Sequence, residues 1–132
     1  MSQENVEIVR EQFEATNRRD FARPMEDWAD DIEVVPTPGS LTSAASGREA
    51  VGEFFGDWFR AFGGGVHFEV TEIRAVGDAV ILEARHHAKG RSSGIEVADN
   101  LFYEYRLQGG KIKRIIFHES WPKALEAVGL SE

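Results

Sequence analysis

The chain contains no cysteine, which removes disulfides, thiolate nucleophiles and thiolate metal sites together. It also lacks any apolar stretch approaching the roughly 20 residues that a membrane span needs. No charged leader precedes an apolar run, so no signal peptide is expected and a cytoplasmic location fits. Basic residues are scarce: 15 Lys and Arg stand against 23 Asp and Glu, for a net charge of −8. That balance repels nucleic acid and anionic lipid at long range, so neither is an expected partner. Lys111, Lys113 and Arg114 do sit close together, but without an RNA-binding motif they read as a solvated strand face. Signature words of common chemistries are missing too. Gly63-Gly64-Gly65 follows a helix pattern and has no Lys-Ser/Thr, unlike a phosphate loop, and no Gly-x-Ser-x-Gly elbow occurs. His86 and His87 are neighbours in a strand pattern and point to opposite faces, while His67 and His118 show no ligand spacing with them. No metal and no other cofactor is expected.

What is present is an ordinary globular composition, 42% apolar and 29% charged over 132 residues. That length makes residues 1–132 one domain. Residues 3 to 18 place Val6, Val9 and Phe13 at helical spacing, with Ser2 as N-cap and Glu4 in the first turn. A short helix follows Asp20, with Phe21, Met25 and Trp28 on one face and Pro24 in its first turn. Residues 32 to 36 read as a short strand, and a Pro-, Gly- and Ser-rich loop runs on to residue 46. Ser46 with Glu49 then reads as a capping box. Behind it Val51, Phe54, Phe55, Trp58, Phe59 and Phe62 form one helical stripe, stopped by the three glycines. Four strands follow, at about 66–75, 79–89, 95–107 and 111–119, joined by turns short enough to make neighbours antiparallel. Ser120 caps a last helix with Pro122 in its first turn, and Gly129 ends it. Helices first and a meander afterwards predict an α+β class with helices packed on one face of a curved sheet.

In that order, several words of the chain resemble the SnoaL-like branch of the nuclear transport factor 2-like superfamily, which includes ketosteroid isomerases and polyketide cyclases. They are Ser2-Gln3-Glu4-Asn5-Val6 through Asn17-Arg18-Arg19-Asp20, Gly47-Arg48-Glu49-Ala50-Val51, and Ser93-Gly94-Ile95-Glu96-Val97. The Gly110-Lys111-Ile112 turn and the Ala124 to Leu130 ending complete the set. The resemblance implies a cone: a curved, mixed, mostly antiparallel sheet wrapped around the N-terminal helices and enclosing a small-molecule pocket, commonly in a homodimer. It also implies where this chain departs from the steroid isomerases. Their base aspartate follows a Tyr-Ala-Asp-Asp-like segment; here Trp28-Ala29-Asp30-Asp31 leads to Pro36 at that position. Their oxyanion donors have Gln12 and Leu101 as nearest equivalents, so steroid isomerase activity is not expected. The buried aspartate of the SnoaL-type cyclases has Asp99 as its candidate by location. The aspartate of many relatives at Ser120 is replaced by another good N-cap, which makes that position structural.

Strand alternation sorts the faces. Val80, Leu82, Ala84, His86 and Ala88 form the more apolar face of their strand and are expected to face the helices. In the next strand Asp99, Leu101, Tyr103, Tyr105 and Leu107 face inward, while Phe102, Glu104 and Arg106 face out. In the last, Ile115 and Phe117 face inward with Glu119 following, and Ile116 and His118 face away, where a partner subunit is a reasonable cover. A symmetric turn at Gly90–Gly94 puts His86 opposite Asp99, an arrangement that would orient an imidazole as general base. The candidate catalytic set is therefore His86, Asp99 and Tyr103. Trp28, Phe55, Trp58, Phe59, Leu82, Leu101, Tyr105, Ile115, Phe117 and Glu119 are candidate substrate-binding residues for a small, largely apolar organic ligand. Two readings stay open. One is a cofactor-free acid/base isomerase, cyclase or dehydratase. The other is a non-catalytic ligand-binding or dimerisation module in which His86 is a core histidine satisfied by its neighbour.

Overall fold

A computed structural model describes residues 2–40, 42–62, 65–89, 94 and 96–130. Helix α1 spans Ser2–Asn17 and is followed by a 3-10 helix at Arg23–Asp27 and strand β1 at Trp28–Val35. A two-residue strand β2 (Ala45–Ser46) leads into helix α2 (Arg48–Ala61). Strands β3 (His67–Val76), β4 (Ala79–Lys89), β5 (Glu96–Gln108) and β6 (Lys111–His118) form the meander, and helix α3 (Trp121–Ala127) ends the fold. The six strands lie in one sheet in the order β2-β1-β6-β5-β4-β3, antiparallel except for the parallel pair β1–β6. The fold is therefore α+β, with a mixed, curved and unclosed sheet, as the resemblance implied.

Three local expectations are corrected. The segment after Asp20 is a single 3-10 turn, and Trp28 opens β1 because its backbone is claimed from afar. It pairs with Ile112 of β6, and its carbonyl accepts a hydrogen bond from Arg48 Nη1 at 2.6 Å. The expected capping box at Ser46 does not form: Ser46 lies in β2 opposite Glu33, and the N-cap of α2 is Gly47 at φ 89° with no side-chain cap. That left-handed backbone, which favours glycine, lets the Gly47 N–H reach the Ile32 carbonyl at 2.7 Å. The cap expected of Ser2 rests on a side chain outside the described ones, as do Gly63 and Gly64 at the expected helix stop and residues 90–93 of the turn before β5. The cap at Ser120 does form, its Oγ accepting from Lys123 N–H at 3.3 Å.

The words that carried the resemblance prove to be joints. Asn17 pairs with β3 as a strand would, its Nδ2 donating to Phe68 O at 2.7 Å and its Oδ1 accepting from Phe68 N at 2.8 Å. Arg19, at φ 67°, donates to Val66 O at 2.6 Å. These bonds tie the end of α1 to the sheet and hold Phe68 over the interior. The main core lies between the sheet's inner face and α1 and α2, and includes Val9, Phe13, Trp28, Ile32, Val80, Leu82, Tyr103 and Ile115. A smaller cluster on the outer face joins Ile81 to Ala124 and Leu125 of α3. The face expected to point away from the helices is thus partly covered by the chain's own last helix.

Candidate functional site: a cavity between helices and sheet

Between α1, the 3-10 helix, α2 and the sheet lies a cavity of about 350 Å³, within the size range of small-molecule sites. Its walls are mostly aromatic: Phe13, Trp28, Phe55, Trp58, Phe59 and Phe68. Phe21, 45% exposed, stands at its rim and packs on Phe59 at 5.6 Å between ring centroids. Gly52 and Gly56, one turn apart on α2, keep the wall thin on that side.

Most polar groups in this wall are already satisfied. Gln12 bridges two elements, its Nε2 donating to Pro24 O at 3.1 Å and its Oε1 accepting from Trp28 Nε1 at 2.9 Å. Thr16 Oγ1 donates to Gln12 O at 2.8 Å. Gln12 therefore holds architecture. Tyr103 and Tyr105 are different. Only 1% and 3% exposed, they line the cavity, and their hydroxyls have no hydrogen-bond partner among the described residues. Their rings stack on each other at 5.9 Å, and Phe13 and Phe117 press edgewise on Tyr103 at 5.2 and 4.9 Å. Burial pushes both phenols above their ordinary range, with the neighbouring Tyr105 adding to the rise at Tyr103. At neutral pH both are O–H donors and neither is a base.

The register places His86 directly opposite Asp99, as the turn symmetry predicts. The depth differs from expectation. His86 is 3% exposed, but Asp99 is exposed, because β5 extends past the helices at that end. Alternation assigns a face and says nothing of how far the cover reaches. His86 lies behind the cavity wall, among the rings of Trp58, Phe62 and Phe68 at 5.3, 5.9 and 5.2 Å. Its Nε2 is buried with no hydrogen-bond partner among the described residues. Burial lowers its pKa, while the Asp99 charge works in the opposite direction and does not win.

Of the expected binding residues, Trp28, Phe55, Trp58, Phe59, Tyr105 and Ile115 line this cavity together with Tyr103. Leu101 and Phe117 line a second cavity of about 490 Å³, with Trp58 as the wall common to both. Leu82 is buried in the core and lines neither, and Glu119 is exposed beyond the end of β6. Thr16, Phe68, Gly52 and Gly56 escaped the sequence reading. For Gly52 and Gly56 the signal was their spacing of one helical turn beside the aromatic stripe. His67 and His87 pair across the exposed side of β3 and β4, with ring centroids 6.4 Å apart. No group of three or more metal-ligating side chains occurs among the described residues.

The profile of the SnoaL-like domain family matches residues 9–115. The chain belongs to that family. Among curated proteins none matches significantly. Solved structures of similar fold include Bal32a from a soil-derived mobile gene cassette, at 22% identity and TM-score 0.79 over 89% of each chain. TerC, co-crystallised with polyporic acid, is similar at 19% identity and TM-score 0.75, covering 86% of this chain and 89% of its own. A candidate SnoaL-like polyketide cyclase from Jannaschia sp. CCS1 matches at 20% identity and TM-score 0.75, over 88% of this chain and 85% of its own. At these identities the likeness establishes the SnoaL-like cone and leaves the ligand to the site itself. No helix of the described residues is long and apolar enough to cross a membrane.

Proposed function

We propose that this SnoaL-like protein binds a flat, largely apolar organic molecule in the helix-side cavity and holds one acceptor oxygen of it with Tyr103 and Tyr105. One observation carries the reading: the hydroxyls of Tyr103 and Tyr105, with no hydrogen-bond partner among the described residues, belong to a cavity whose other buried side-chain polar groups are satisfied. A hydrogen bond is worth about 0.5–1.5 kcal/mol net, so a ligand that supplies the acceptor gains that much over one that does not. The aromatic walls select a ring system, and Arg60, the cation among the described lining residues, is exposed and already paired with Asp57. TerC's crystallisation with polyporic acid accords with an aromatic ligand in this fold.

The test is a matched pair of probes, 9-fluorenone and fluorene, which differ chiefly in the ketone oxygen. Calorimetry is expected to show tighter binding of the ketone by about tenfold, the yield of one to two net hydrogen bonds. Replacing both tyrosines with Phe is expected to erase that preference while leaving fluorene binding nearly unchanged. Equal affinity of the native protein for both probes contradicts the proposal.

The unpartnered His86 Nε2 favours a second, catalytic reading at the same place. In it the chain performs cofactor-free proton transfer, as in an isomerisation, aldol-type cyclisation or dehydration. His86 is the base, Asp99 orients and charges it, and Tyr103 stabilises the developing oxyanion. Trp58 and Phe68 stand between His86 and the cavity, so this chemistry requires one of those rings to turn aside.

A further inference from the structure

On the outer face of the sheet, β5 and β6 bring together a second imidazole and carboxylate. Phe102 pairs with His118 and Glu104 with Ile116, so Glu104 meets His118 diagonally across the ladder. The Glu104 carboxylate, 3% exposed, is held on one oxygen by the Arg106 guanidinium and on the other by His118 Nε2 at 2.8 Å. Arg106 is itself fixed, donating to the Ala127 carbonyl of α3 at 3.1 Å. Burial pushes the Glu104 carboxyl up, but the bonds from His118 and Arg106 outweigh it and hold the group below its ordinary range. An ionised carboxylate only accepts, so Nε2 carries the hydrogen and Nδ1 of the neutral ring presents its lone pair. Nδ1 has no partner among the described residues. This is the carboxylate-oriented imidazole that the sequence suggested at His86.

His118 forms part of the wall of the second cavity. Phe54, Trp58 and Phe117 give that space aromatic walls, and Thr37, Ser40 and Thr42 line it as well. Asp57, at the same wall, is exposed and paired with Arg60. We propose that this cavity is a separate site for a small aromatic molecule bearing an acidic hydroxyl, with His118 Nδ1 as the base that takes its proton. The O–H bond breaks, an N–H bond forms at Nδ1, and the electron pair stays on the ligand oxygen. The imidazolium so formed lies against Glu104, whose second oxygen is already neutralised by Arg106. The helix-side cavity cannot substitute for this step, since its free groups are donors.

The probe is 4-nitrophenol, whose phenolate absorbs at a longer wavelength than the phenol, titrated into the full chain at one fixed pH. Native protein is expected to give a saturable rise in the phenolate band. His118→Asn is expected to weaken that response at least about tenfold, the effect of losing a charge-assisted hydrogen bond. Tyr103→Phe with Tyr105→Phe is expected to leave it within about twofold, a change far below one such bond. Should His118→Asn fold poorly, nitrogen NMR of the native protein reads the same event: Nδ1 is expected to move from unprotonated to protonated on adding the probe. No saturable band in the native protein overturns the proposal, as does a band that survives His118→Asn. A band abolished by the tyrosine pair puts the probe in the other cavity and overturns it equally.

Discussion

The Tyr103 and Tyr105 hydroxyls line the cavity with no hydrogen-bond partner among the described residues, and His86 Nε2 is buried in the same unpartnered condition. A neutral imidazole among three aromatic rings loses solvation on gaining a proton, and burial accordingly lowers its pKa below the ordinary 6.5. The unfolded chain then binds that proton first. The group's stabilising effect is full above 6.5 and falls as pH drops through the window below it, apart from the carboxylates that titrate lower. Proton NMR should place the His86 midpoint under the ordinary value, and Asp99→Asn should lower it further, because the Asp99 charge opposes burial. An unchanged midpoint in Asp99→Asn would mean that the carboxylate does not act on the ring, and the catalytic reading would fall with it. The pairing of these two residues was legible from strand alternation and turn length. The exposure of Asp99 was not, because it depends on where α1 and α2 end over the sheet.

At the scale of elements, α2 trades helix stability for space. Gly52 and Gly56 lie inside it, and a β-carbon built at Gly52 would stand 3.5 Å from Met25 Cε, an ordinary contact. Gly52→Ala should therefore stabilise the fold by up to about 1 kcal/mol through helix propensity. The added methyl narrows the cavity wall, so fluorenone affinity should fall in the same variant. Thermal melts and calorimetry on one preparation check both, and a gain in both would show that Gly52 has no part in admitting ligand. Much of the element plan could be read in advance. β4 was legible to the residue because its inner face is apolar at every position but His86 and its turns are short. β2 and the start of β1 were not. Ser46 and Trp28 take their conformations from Glu33, Ile112 and Arg48, partners that local periodicity cannot reveal.

For the whole molecule, two neighbouring cavities hold two chemistries. The helix-side cavity offers phenol donors among aromatic rings, and the second offers an imidazole oriented by a buried carboxylate. Trp58 is the wall shared by the two cavities. The outer face was expected to await a partner, and α3 already covers Ile81 there, while Phe102 and Ile116 remain half-buried. A homodimer across that remainder is the assembly we propose. Light scattering at micromolar concentration should give twice the 14.8 kDa chain mass, and the single mass would exclude it. Fold and family were readable because they reside in joints: Asn17, Gly47, Arg48 and Ser120 each make a backbone bond that fixes an element. The site was only half readable, since a hydroxyl's lack of a partner depends on every element around it.

The most direct test is a crystal structure of the native protein with 9-fluorenone. The ketone oxygen should lie about 2.7 Å from the Tyr103 and Tyr105 hydroxyl oxygens, the usual O–H···O separation, with the rings among Phe13, Phe55 and Phe68. A ligand bound with its oxygen turned away from both tyrosines, or bound only elsewhere, would contradict the account.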